Sequence, residues 1–442
     1  MGEFINQNVI PVIMKFVNSK PIMALRDGLV ATMALTIVGS LFLLIANFPI
    51  NAVTEFMKES GAALYLNQAY ESTFNIISIA AATCIGYAYV KNEGFEGIGA
   101  GIISMSVFFI IQKHQVIDPN NPENIISGVI NKEWTAGKGM VGAIIVGLLV
   151  GFCYATCMKK NIRIKLPEMV PEGVANSFNA IIPGFFAITA ATVIFTILDK
   201  LGTDLLNLIY TILQTPLETG INSVPGMLLM AIFGPFLWWF GIHGSTIVGG
   251  VLGPLLQANY LHNQALVDKG VELTVANGGR IVTQQFLDQF ITVTGAGITI
   301  GLLVYMTFFA KSEQFKNLGK LSLVPGLFNI NEPILFATPI VMNPFMAIPF
   351  ILTPVLSACI QYFAIYTGLT PMYTAITVPW TTPPIISGFL IGGIRTMLLQ
   401  AFILVLTFFT YLPFARKLDK INYKEEQGLS QKEITEEMKE EE

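Results

Sequence analysis

The 442-residue chain carries 25 Lys and Arg against 29 Asp and Glu, a net charge of −4, and is 53% hydrophobic with only 12% charged residues. That charged fraction is half the roughly 25% of a soluble domain, and the mean hydropathy is +0.63, so an ordinary soluble protein is excluded. Apolar runs of roughly 18–20 residues, long enough to cross about 30 Å of hydrocarbon, predict an all-α polytopic membrane protein. Segments of about ten residues with alternating polarity, the mark of an outer-membrane barrel, are missing.

In chain order, residues 4–17 place Phe4, Ile5, Val9, Ile10, Ile13 and Val17 on one helical side and predict an amphipathic helix lying on the membrane within an N-terminal segment, 1–27. The first residues lack the basic, apolar and small-residue regions of a cleaved signal peptide. A first span is expected from Gly28 to Pro49, with Arg26 and Asp27 anchoring it at the interface. Further spans are expected over Thr73–Val90, Ile98–Ile111, Met140–Met158 and Ala180–Leu198, with a long polar loop from Gln112 to Lys138. The linker LPEMVPEGVANSF interrupts the helical pattern with two prolines and a glycine. Residues 28–200 are therefore read as an N-terminal half and 201–415 as a C-terminal half.

The second half begins with an interfacial or packed helix over Leu205–Leu217. Spans follow over Val224–Phe240, about Ser245–Leu261, Ile291–Ala310, Phe345–Tyr366 and Ile386–Leu412. Lys and Arg cluster at residues 15–26, 159–165, 311–320 and 416–424, and positively charged loops stay cytoplasmic. About ten crossings with both termini inside satisfies these clusters best. Residues 416–442 are expected to form a charged, disordered cytoplasmic tail.

Three places carry polar chemistry. Leu327–Pro344, LFNINEPILFATPIVMNP, sets Asn329, Asn331 and Glu332 in apolar surroundings, where a carboxylate costs several kcal/mol unless it is paired or faces water. Pro333, Pro339 and Pro344 forbid an unbroken helix, and Pro325-Gly326 predicts a turn just upstream. Irregular backbone at that depth is tolerated only where it is packed in protein or lines a cavity, so a re-entrant hairpin with a polar tip is expected. Glu332 is the leading acceptor for a polar solute, or a proton carrier, and the neutral amides of Asn329 and Asn331 suit hydroxyls. His243 lies between glycines in FGIHGS, and Trp380 in VPWTTPP is either an interfacial belt residue or a platform for a sugar ring. His114 and His262 are expected to be surface loop residues.

The four cysteines lie in apolar runs without a metal-ligand pattern and are expected to be small packing residues. No cofactor, metal or nucleic-acid partner is expected. There is no Walker motif for ATP and no channel selectivity filter.

GLFNINEPILFATPIVMNP, WWFGIHGSTIVGG, VPWTTPPIISGFL and KPIMALRDGLVATMALTIVGSLFLL together resemble the membrane-embedded IIC component of the bacterial phosphotransferase system, in its lactose/cellobiose/diacetylchitobiose branch. The resemblance covers all but the acidic tail. It implies a bacterial cell-membrane homodimer joined through its first five spans, with the sugar held by the last five and two re-entrant hairpins. It implies further that Glu332 and His243 bind near the hydroxyl to be phosphorylated, while Asn331 and Trp380, with Asn329 close by, help hold the rings. Because a base must lie within hydrogen-bond reach of the proton it takes, Glu332 is expected as proton acceptor with His243 orienting it. In such proteins sugar moves inward while a phosphocysteine on a IIB subunit phosphorylates it, and the IIC chain itself takes part without being phosphorylated. IIB and IIA are expected as separate polypeptides, and cellobiose or N,N′-diacetylchitobiose as substrate. The rival expectation is a proton-coupled secondary sugar transporter with Glu332 as the proton carrier.

Overall fold

A computed structural model describes residue 15 and residues 19–429, apart from 49, 119–120, 168, 242–243, 339 and 342. A few further residues, Glu332 among them, are described by backbone alone. The expected amphipathic helix over 4–17, residue 15 apart, and the end of the tail fall outside the described residues.

The described residues are predominantly helical, and six of their helices are long and apolar enough to cross a bilayer. The chain divides into two compact units, whose boundary differs from the expected break at residue 200. The first unit comprises residues 1–46, 58–220 and 249–265, the second 47–57, 221–248 and 266–442.

In the first unit α1 (Lys20–Ala46), α2 (Ala62–Phe74), α3 (Ile77–Asn92), α4 (Ile98–Ile110), α5 (Met140–Lys159) and α6 (Ile181–Lys200) follow one another. α1 begins eight residues earlier than expected, so Arg26 and Asp27 lie inside it, paired at 2.9 Å. Asn92 donates to Asp27 at 2.9 Å. α3 is the hub, packed on α1, α4 and α5. Lipid tails offer helices no hydrophobic drive to associate, so close backbone approach between small residues takes its place. A Cβ on Gly28 would stand 2.7 Å from the Ile85 backbone, and one on Gly147 3.0 Å from the Ala82 carbonyl oxygen.

The unit is pinned at one end by a three-way ion pair. Glu93, just past α3, meets Lys159 at 2.7 Å and also Lys20. Burial works to raise the Glu93 carboxyl, but the hydrogen bonds from Lys159 and Lys20 outweigh it and hold it below its ordinary value. The loop expected over Gln112–Lys138 contains an antiparallel hairpin, β1 (Gln115–Asp118) with β2 (Asn121–Ser127), in which Val116 pairs with Ile126 and Ile117 with Ile125. Polar residues around DPNN hid those short β-branched runs.

In the second unit α7 (Val224–Trp239) leads through Gly241, at φ 77°, to α8 (Gly244–Asp268), whose 249–265 stretch belongs to the first unit. His262 therefore lies within a helix and not in a loop. The expected span Ile291–Ala310 is interrupted. A short helix Gln284–Phe286 runs into a π-helical turn at Leu287–Ile291, irregular backbone follows to Thr299, and only Ile300–Phe308, α9, is helical beyond it. α10 (Glu313–Leu327), α11 (Glu332–Ala337), α12 (Pro344–Tyr366) and α13 (Ile386–Glu426) complete the unit. α13 corrects the expectation of a disordered tail from residue 416: its helix continues to Glu426, with a kink at Gly392 and Gly393. A buried core of Leu302, Met306, Ile334, Leu335, Phe350 and Tyr411 joins α9, α11, α12 and α13.

Candidate functional site

The polar chemistry of the second unit gathers where its helices break. α10 does not turn at Pro325-Gly326, as expected; both residues are helical. It stops at Asn329, whose φ of 66° is left-handed. Ile330 N donates to Pro325 O at 3.0 Å and Asn329 N to Gly326 O at 3.2 Å, the paired bonds of a Schellman stop. Asparagine tolerates that backbone better than other non-glycine residues.

The Asn329 side chain then ties three segments together. Its oxygen accepts from Thr294 N at 2.6 Å, and its nitrogen donates to the carbonyl oxygens of Trp380 and, at 3.0 Å, Thr382. Asn331 is 3% exposed and donates to Ala296 O at 2.7 Å and Thr299 Oγ1 at 2.8 Å. Its amide lies flat on Gly295, where a Cβ would come within 2.2 Å of it; at φ 92° only glycine is at ease there.

Two glutamines extend the stitching. Gln285 donates to Thr374 O and Ile376 O at 2.6 and 2.9 Å. Gln400, fully buried, accepts from Gly388 N at 3.1 Å and Ile385 N, and donates to Gln289 O at 2.9 Å and Ser387 Oγ at 3.0 Å. Backbone that leaves the helix away from water must find other partners, and these four amides supply them. They hold two residues in costly conformations, Thr294 at φ 60° and Ile385 at 74°, and Ile298, at 50°, lies in the same irregular stretch as Thr294. β-branched residues rarely adopt positive φ, and such strain concentrates at ligand sites.

Glu332 opens α11 at its first position, with Pro333 next, where a missing N–H costs nothing. His243 lies outside the described residues. The glycines around it have structural reasons of their own: a Cβ on Gly244 would stand 2.1 Å from the Gly234 carbonyl oxygen of α7. The Trp380 side chain is 51% exposed, free to offer a face, while its carbonyl is fixed by Asn329. The structure thus brings Asn329, Asn331 and the Trp380 backbone into one network, with Glu332 adjoining it in sequence.

Gln285, Asp288, Gln289 and Gln400 were not singled out by sequence reasoning. Asp288, the lone acidic residue between Glu272 and Glu313, sits half-buried on the π-helical turn and accepts from Gln284 at 2.9 Å. Its isolation in an apolar stretch was the signal that could have found it, and π-turns often mark functional sites. Among the described residues no cluster of His, Cys, Asp and Glu could hold a metal ion. Cys84 and Cys153 are half-buried, Cys157 is buried and Cys359 is exposed; all are free thiols.

Membrane-length helices together with broken helices stitched around buried amides define a polytopic transporter architecture. Residues 26–354 match the family described as Phosphotransferase system, EIIC. The chain is 37% identical to the lichenan permease IIC component of Bacillus subtilis strain 168, over 97% of this chain and 96% of that one. It is 36% identical to the cellobiose-specific EIIC component of Geobacillus stearothermophilus, over 96% of each. Its fold matches the crystal structure of the transporter ChbC, the IIC component of the N,N′-diacetylchitobiose-specific phosphotransferase system. The TM-score is 0.91 at 36% identity, covering 97% of this chain and all of that one. The chain belongs to the phosphotransferase-system EIIC family, in its lactose/cellobiose/diacetylchitobiose branch.

Proposed function

We propose that this chain is the sugar-translocating IIC subunit of a bacterial phosphotransferase system that imports a β-linked disaccharide, cellobiose or N,N′-diacetylchitobiose. The observation that carries the reading is the network of Asn329, Asn331, Gln285 and Gln400, which holds broken, strained backbone in place, with Glu332 next to Asn331 in sequence. The similarity to IIC proteins named for cellobiose and N,N′-diacetylchitobiose supports the substrate class. The working molecule is a homodimer with about ten crossings per subunit and both termini cytoplasmic, the first five spans making the subunit contact.

In this reading Glu332 and His243 meet the reacting hydroxyl and Trp380 stacks on a ring. Asn329 and Asn331 act chiefly by shaping the cavity, since their side-chain N–H groups already serve the protein. A separate IIB subunit presents its phosphocysteine from the cytoplasm, itself charged by IIA. The sugar oxygen attacks phosphorus, the S–P bond breaks, the thiolate leaves, and Glu332 takes the hydroxyl proton, which requires hydrogen-bond reach. The product carries close to two negative charges, which a pocket with a carboxylate and neutral amides holds poorly, so release is inward.

Equilibrium binding of a disaccharide panel to the purified protein tests the reading. Saturable binding of cellobiose or N,N′-diacetylchitobiose, lost with alanine at Glu332 or His243, is expected. Unaltered binding in both variants would remove these residues from the site.

A further inference from the structure

The end of α13, read from sequence as a loose tail, grips the helix pair that carries the site. Asp419, 2% exposed, accepts from Lys311 N at 2.9 Å, Ser312 N at 2.9 Å and Tyr305 Oη at 3.0 Å. Two turns on, Glu426 accepts from Glu313 N at 3.0 Å, Gln314 N at 2.9 Å and Ser312 Oγ at 2.7 Å. Ser312 caps the same end through Phe315 N at 3.2 Å. The first turn of α10 thus has its free N–H groups satisfied, and two carboxylates lie at the positive end of its dipole.

α10 is a 15-residue helix, about 22 Å long, and its other end is the Asn329 stop. It packs closely on α9: a Cβ on Gly319 would stand 2.7 Å from Thr307 N and 2.8 Å from the Met306 carbonyl carbon. α9 in turn begins beside Thr299, which accepts from Asn331. The pair is therefore one rigid hairpin, clamped by Asp419 and Glu426 at its turn and stitched by Asn329 and Asn331 at its open end.

We propose that Asp419, supported by Glu426, is a positioning residue for the sugar site: by fixing the α9–α10 turn it sets the seating of Asn329, Asn331 and Glu332. The proposal rests on the functional reading above. A loosened clamp lets the hairpin leave its competent position, and apparent affinity falls by the fraction of time it is in place. A hairpin seated one tenth of the time binds sugar about tenfold more weakly. A carboxylate important only for folding would lower the thermal midpoint and leave the hairpin position and affinity of the folded molecules unchanged.

The test uses full-length protein with its native cysteines replaced and spin labels at Leu321→Cys on α10 and Ile348→Cys on α12, both exposed. The distance distribution is measured without sugar, and binding of cellobiose and of N,N′-diacetylchitobiose is measured alongside. Asp419→Asn is expected to broaden the distribution and weaken binding about tenfold, since bonds to a buried charge are the stronger ones. Glu426→Gln, at the more exposed end, is expected to move both readouts in the same direction by less, and it decides the matter if Asp419→Asn does not fold. A wild-type distribution in the folded variants, or a broadened one with wild-type affinity, overturns the proposal. If the parent protein binds neither sugar, the functional reading fails, while the distances still report on the clamp.

Discussion

Asn329 donates a side-chain hydrogen bond to the carbonyl oxygen of Trp380, 51 positions further along the chain. The same amide accepts from Thr294, 35 positions before it. One short side chain at a helix stop therefore ties three broken segments of the second unit together.

Replacing Asn329 by alanine removes the partner of Thr294 N and the preference for left-handed backbone together. Leaving one buried donor unsatisfied costs about 1–3 kcal/mol. A lower unfolding midpoint in detergent and loss of disaccharide binding are expected. Asn329→Gly, which keeps the backbone but not the bonds, should recover only part of the stability.

Gly295→Ala tests the seat of Asn331. The new Cβ would fall 2.2 Å from the amide, at a backbone angle alanine disfavours. Sugar affinity should drop at least tenfold with the oligomeric state unchanged, as read by titration and size-exclusion chromatography.

The Glu93 ion pairs predict a pH dependence confined to the first unit. Because the folded-state carboxyl is held below its ordinary value, its contribution is present above the unfolded value of about 4.3 and is lost as pH falls through the folded one. Glu93→Gln should lower the thermal midpoint at pH 7, and the gap to the parent protein should close as the buffer is taken below about pH 4. A gap independent of pH would mean that the charge is not what Lys20 and Lys159 hold.

Glu332→Gln separates binding from chemistry. The amide still accepts a hydroxyl hydrogen bond but takes no proton, so phosphorylation by the IIB phosphocysteine should slow by about 10²–10⁴-fold while sugar still binds. Turnover at the parent rate with bound sugar would end the base role.

Much of the helical layout was legible because hydrocarbon imposes a length on apolar runs: Met140–Lys159 and Pro344–Tyr366 lie within a residue of expectation. The break at 292–299 was not, because Thr, Gly, Ala and Ile in ITVTGAGITI are as apolar as a span. Nothing local revealed that Asn329 and Asn331 would draw that stretch out of helix. The sequence singled out the two asparagines as polar residues in a costly place, but did not reveal that their N–H groups would serve backbone carbonyls and Thr299. The carboxylates of α13 escaped for the opposite reason. Asp419 and Glu426 lie in a charged stretch that resembles a solvated tail, and only their partners at Lys311–Gln314, over a hundred positions earlier, reveal a clamp.

Coupling of sugar entry to phosphoryl transfer at Glu332 stands at the centre of the proposed function. It is tested most directly by loading proteoliposomes containing the purified protein with phosphorylated IIB and following labelled cellobiose and N,N′-diacetylchitobiose inward. One of these sugars is expected to accumulate inside as its phosphate, only when phosphorylated IIB is present, and Glu332→Gln is expected to abolish the accumulation. Accumulation of unmodified sugar driven by a proton gradient, with no IIB, would contradict it.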